Sequence, residues 1–220
     1  MKRKYFLIGV AMIAVTVIVT LVLIPYMPER VPSHWNAHGK VDGYSPRWML
    51  PVLMPGIMTL LLLLFAALQW LSPAKFEVDT FQSTYLFIMI VILGLMAYIH
   101  ALMLWAGLKG NIDISKALTG GVCLMFVALG NVMGKVRRNF YIGIRTPWTI
   151  ASERVWYATH RFGAKTFVLG GLLAFLVALV GLPFGAMIVI MVAALSPVIY
   201  SLVYYKKLEK RGNLSKAVDI

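Results

Sequence analysis

Polar and apolar positions along this chain do not alternate; they come in blocks. Six long apolar runs occupy residues 6–26, 49–71, 85–105, 117–133, 167–182 and 184–204, and every Asp, Glu, Lys and Arg falls outside them. A bilayer core takes about 20 residues of helix to cross, so each run is read as a membrane-spanning helix. The last two runs form one long apolar stretch broken by Gly181-Leu182-Pro183-Phe184-Gly185, whose glycines and proline mark a tight turn between two antiparallel helices. Pro197 should kink the sixth helix. The first run follows Met1-Lys2-Arg3-Lys4 as a signal peptide's core would. It is longer than the roughly 7–15 residues of such a core and ends without a small-residue cleavage pattern, so it is read as a retained helix.

Composition sharpens the class. Hydrophobic residues make up 60% of the 220 and charged ones 13%, against about 25% charged in soluble domains. The net charge of +13 would suggest nucleic acid in a soluble protein, but here it reads as cations facing anionic lipid, and no nucleic-acid binding is expected. Cys123 lies inside an apolar run and, as the only cysteine, cannot form an intrachain disulfide. The fold class expected is an all-α integral membrane protein.

Lys and Arg set its expected orientation. With the N terminus inside, the inner segments 1–5, 72–84, 134–166 and 205–220 carry 3, 1, 7 and 5 of them, 16 in all, against 5 in the outer segments. That asymmetry places both termini in the cytoplasm. The chain then divides into an N-terminal helical pair with its outer loop (1–72), a four-helix membrane core (80–205) and a basic cytoplasmic tail (206–220).

Two connecting segments carry more chemistry than connection needs. The outer loop reads VPSHWNAHGKVDGY over residues 31–44. Its prolines and glycines favour a folded, turn-rich loop. Trp35 can anchor a partner or the loop itself, and Asp42 before Gly43 can turn onto its own backbone. His34, His38 and Asp42 are spaced by four, which on a helix would align three zinc ligands, with His100 near the outer end of the third span as a fourth candidate. Gly39 and Gly43 weaken such a helix, and His34 and His38 can equally hydrogen-bond within the loop.

The inner segment 134–166 is long, basic and aromatic. Thr146 before Pro147 is an N-cap and first-turn pair, and Gly163 is a helix stop. Between them Trp148, Ala151, Val155, Ala158 and Phe162 form one apolar stripe, opposite Glu153, Arg154, Tyr157, His160 and Arg161. An amphipathic helix lying in the cytoplasmic interface is expected. Asn131 and Asn139 are amides suited to fixing helices and loops, with Arg145 able to fork back onto them. Arg137, Arg138 and Arg161 suit lipid phosphate or a cytoplasmic partner.

These residues carry a resemblance. Gly130, Asn131, Met133, Lys135, Arg137, Asn139, Gly143, Ile144, Arg145, Thr146, Pro147, Trp148 and Thr149, then Ser152, Val155, Trp156, Thr159, Arg161 and Gly163, resemble the core pattern of the SdpI family of bacterial immunity proteins. Ile24-Pro25, Val31 to Asn36, Gly39 and Asp42-Gly43 resemble a small domain of unnamed function often found ahead of that core. The resemblance implies protection against a secreted, SdpC-like peptide toxin, with His34, Trp35, Asn36, His38 and Asp42 facing it. It also implies sequestration of a cytoplasmic transcriptional repressor at the membrane, as in the best-known relative. No cofactor is implied by the family.

Two other function classes compete. A zinc-dependent membrane enzyme acting on a peptide or lipid would need the His34, His38, Asp42 and His100 set. A transporter would place ionisable side chains at mid-membrane and show repeated halves, and neither pattern is present. The small-residue pairs Gly120-Gly121 and Gly170-Gly171 allow close helix packing within or between subunits, so they leave the oligomeric state open.

Overall fold

The computed structural model describes residues 3–36, 39–73, 78–109 and 113–214. Helix α1 (Arg3–Leu23) leads into a hairpin of strands β1 (Arg30–Trp35) and β2 (Val41–Pro46), followed by α2 (Leu50–Leu71) and α3 (Gln82–Lys109). Then come α4 (Ile114–Met133), the short α5 (Pro147–Ala151), α6 (Glu153–Leu179) and α7 (Pro183–Lys210). Among the described residues six helices are long and apolar enough to cross a membrane, all but α5. They coincide with the six expected spans to within a few residues at most ends. Large apolar side chains such as Leu60, Leu169 and Val192 stand exposed on their flanks, where lipid covers them.

The helices pack as two groups. Helices α1, α2 and α3 contact one another, and α6 packs along both α4 and α7; α3 against α4 joins the groups. The larger core cluster draws Met58, Leu62 and Phe65 from α2, and Tyr85, Met89 and Leu93 from α3, and closes over Val136 and Trp156. The Tyr85 hydroxyl donates to the Phe65 carbonyl at 2.7 Å, which satisfies a polar group that lipid could not. Chain direction puts the hairpin at one end of the bundle. The loop between α4 and α5 lies at the other, where the Tyr141 hydroxyl donates to the Leu71 carbonyl at 2.7 Å.

Three local expectations change. The turn-rich outer loop is a two-stranded antiparallel ribbon, an addition to the all-helical architecture. The interfacial helix expected from Thr146 to Gly163 does not form as one piece. Ser152, with φ −134 and ψ 121, is extended and ends α5 after five residues, and α6 then runs unbroken from Glu153 to Leu179. Gly163 is therefore not a stop. It is a point of close approach inside α6, where a Cβ would lie 2.7 Å from Ile144 Cδ1 and 3.5 Å from Pro197 Cβ. The face that α6 buries is correspondingly rotated from the expected stripe: Val155, Trp156, Thr159, His160, Gly163 and Phe167 are inside.

Candidate functional site

At the hairpin end, the strands pair Val31 with Ser45, Pro32 with Tyr44, His34 with Gly43 and Trp35 with Val41. Ser33 and Asp42 fall between those pairs as bulges, one on each strand, and bulges re-aim side chains. The tip closes on Asn36: its N–H donates to the Lys40 carbonyl at 2.9 Å, and its side-chain oxygen accepts from the Lys40 N–H at 3.1 Å. One face seats the ribbon on the helices. Val31 is fully buried in a cluster with Met27, Leu50, Met103 and Leu104, and half-buried Trp35 packs onto it. Trp35 is thus the loop's own anchor.

The other face is exposed and carries the chemistry. Asp42 does not turn onto its own backbone; Oδ1 lies 2.5 Å from His34 Nδ1 in a pair that is 43% and 72% exposed. Tyr44 beside it is 53% exposed. His34 and Asp42 meet across two strands, not along a helix, and His38 lies outside the described residues. His100 is buried beneath the ribbon with Nε2 2.6 Å from Thr20 Oγ1. No three His, Cys, Asp or Glu side chains are grouped to hold a metal among the described residues.

At the opposite end, an irregular loop from Gly134 to Thr146 is held almost entirely by side chains. Asn139, fully buried, makes four bonds: Nδ2 donates to the carbonyls of Arg137 at 2.8 Å and Ile142 at 3.0 Å, and Oδ1 accepts from the N–H groups of Tyr141 and Ile142 at 2.7 Å each. All the capacity of that amide is used. Trp156 Nε1 donates to the Val136 carbonyl at 2.8 Å, and its ring stacks on His160 with centroids 4.1 Å apart. His160 Nδ1 meets the Trp156 carbonyl at 2.8 Å, and its Nε2 accepts from the Ile144 N–H at 3.0 Å. The neutral imidazole bonded in this way clamps the loop to α6. Gly143 makes the clamp possible: φ is +109, and a Cβ there would collide with His160 Nε2.

Thr146 and Thr149 complete the loop as a reciprocal cap on α5. The Thr146 N–H donates to Thr149 Oγ1 at 2.8 Å, and the Thr149 N–H to Thr146 Oγ1 at 3.2 Å. Thr146 Oγ1 also lies 3.1 Å from Ser201 Oγ on α7. Arg145 folds back onto the Phe140 carbonyl and not onto either amide. Arg137 donates to the Tyr157 hydroxyl at 2.8 Å, a contact that raises the guanidinium's already high pKa. Arg137, Arg145, Pro147 and Arg161 are exposed, and Trp148 is half-buried.

His160, expected on the polar face, is fully buried. Asn131, expected among the fixing amides, stands on an exposed face of α4. Tyr141 and Ser201 went unnoticed, because their partners lie 70 and 55 residues away. The signal for His160 was its place four residues after Trp156, on the same helical face.

The same two regions organise the comparisons with known proteins. Residues 135–204, which hold the inner loop and its clamp, match the profile of the SdpI/YfhL protein family. Residues 11–59, which hold the hairpin, match a domain of unknown function (DUF1648). The Immunity protein SdpI of Bacillus subtilis (strain 168) is 29% identical over 212 residues, covering 94% of this chain and 98% of that protein. No solved structure matches. With six helices long and apolar enough to cross a membrane and this length of correspondence, the chain is a multi-pass protein of the cytoplasmic membrane that is similar to the SdpI family.

Proposed function

We propose that this chain is an immunity protein, protecting the cell that makes it from a secreted peptide toxin. The observation that carries this is the correspondence with Immunity protein SdpI over 94% of the chain, which takes in both ends of the bundle. On this reading the hairpin faces outward, as the Lys and Arg asymmetry of the loops favours. Its exposed His34, Asp42 and Tyr44 contact the toxin, while Trp35 and Asn36 shape the ribbon that presents them. The arrangement suits a binding surface: two rigid strands carry polar and aromatic groups above an apolar seat. The exposed arginines at this end, Arg137 and Arg145 of the loop and Arg161 of α6, form the face on which a cytoplasmic repressor docks in a signalling member.

The test is survival. A toxin-sensitive bacterium expressing the chain should survive a dose of SdpC-like toxin that kills the strain carrying an empty vector. Equal killing of both, with the protein present in the membrane, would sink the reading. Replacing Arg137 and Arg161 by alanine should leave survival intact and abolish toxin-induced expression. If survival is lost as well, the separate inner role is wrong.

A further inference from the structure

His100 sits on α3 beneath the hairpin and is 2% exposed. Its protons can be assigned from its neighbours. Thr20 Oγ1 donates to the Thr16 carbonyl at 2.6 Å, and a hydroxyl has one proton to give. The 2.6 Å contact between Thr20 Oγ1 and His100 Nε2 is therefore donated by the imidazole. In the neutral ring Nδ1 then carries a lone pair, and this buried atom has no hydrogen-bond partner within the described protein. An acceptor buried in that way costs about 1–3 kcal/mol unless something satisfies it.

The ring borders a small cavity that Ser33 and Ser45 of the hairpin, Leu50 and Met54 of α2, and Met103 of α3 help to close. Its volume of about 10 Å³ matches the space one water needs. Ser45 donates to Ser33 Oγ at 2.8 Å, which leaves the Ser33 proton for another acceptor. The bulge at Ser33 gives that side chain its place on the seated face. No carboxylate lines the cavity, so a lone pair and a hydroxyl donor are its chemistry, and that suits a neutral group both donating and accepting.

We propose that this cavity binds one water molecule, which donates to His100 Nδ1 and accepts from Ser33, and that His100 is thereby a positioning residue fastening the hairpin to α3. The rest of the seat, Val31 and Trp35 against Met27 and Leu104, is apolar and without direction. The water supplies the directional contact.

Two substitutions separate the two nitrogens. His100→Gln keeps a donor that reaches Thr20 and loses the cavity acceptor; His100→Asn keeps a polar group near the Nδ1 position and loses Thr20. Hydrogen–deuterium exchange of hairpin amides, in full-length protein held in lipid nanodiscs, reads the fastening. His100→Gln should speed exchange about fivefold, the effect of losing one net hydrogen bond, and His100→Asn should stay within about twofold of the parent. Ser33→Ala, which leaves the helices untouched, loses the Ser45 bond as well as the water's donor and should speed exchange at least as much as His100→Gln. Equal acceleration in both His100 variants would mean that Thr20 or bulk packing holds the hairpin, and unchanged exchange in Ser33→Ala would remove the water bridge. A high-resolution structure should show density within about 3.2 Å of Nδ1; a dry cavity overturns the proposal.

Discussion

The two ends of this bundle use polar side chains in opposite ways. On the hairpin, a ladder of backbone bonds makes the shape, and the polar side chains of His34 and Asp42 point to water in a pair 72% and 43% exposed. In the inner loop there is no ladder, and buried Asn139, Thr149, Trp156 and His160 replace it, each bonded to main-chain groups. An exposed pair in high dielectric contributes about 0–1 kcal/mol. A buried donor or acceptor left unpaired costs about 1–3 kcal/mol, and Asn139 alone satisfies four such groups. The conspicuous inner motif is therefore first an architectural device. The hairpin's outward side chains can change without loss of fold, which leaves them available for recognition.

Substitutions can break or sharpen that contrast. Asn139→Ala strips four partners at once and should rank with the most damaging changes, with a loss of about 3 kcal/mol or more read as a lower Tm in detergent and reduced membrane abundance. Trp156→Ala should cost about 3–5 kcal/mol through its cavity alone, and Trp156→Phe about 1–2 kcal/mol by orphaning the Val136 carbonyl. Gly143→Ala combines a positive φ with a collision at His160 and should cost about 1–3 kcal/mol, more than the same change at exposed Gly56, which meets nothing within 4 Å. His34→Ala should shift stability by less than about 0.5 kcal/mol. A His34→Ala protein as unstable as Asn139→Ala would erase the distinction between the ends.

What the sequence reveals follows from which forces are local. A continuous apolar run of span length needs no partner to be read, so the six helices are legible to within a few residues at most ends; α6 is the exception, beginning at Glu153 and not at residue 167, because its first turns are polar. Thr146-Pro147 is a complete local signal and starts α5 where expected. Gly163 misleads because a stop and a close contact look alike until Ile144 and Pro197 are known to lie against it. His160 misleads for a related reason: its partner, the Ile144 N–H, belongs to a loop without periodicity. The hairpin is half legible. Its turn-formers show, but Pro32 and Gly43 within the strands and a bulge on each hide the alternation that would have shown them.

The measurement that tests the account most directly is toxin survival at matched membrane abundance, comparing the triple variant His34→Ala, Asp42→Ala, Tyr44→Ala with the parent. The account predicts that the triple variant inserts and melts like the parent, yet loses protection. Full protection by that variant, at equal abundance and with the hairpin's exposed face stripped, would contradict it and move recognition elsewhere on the molecule.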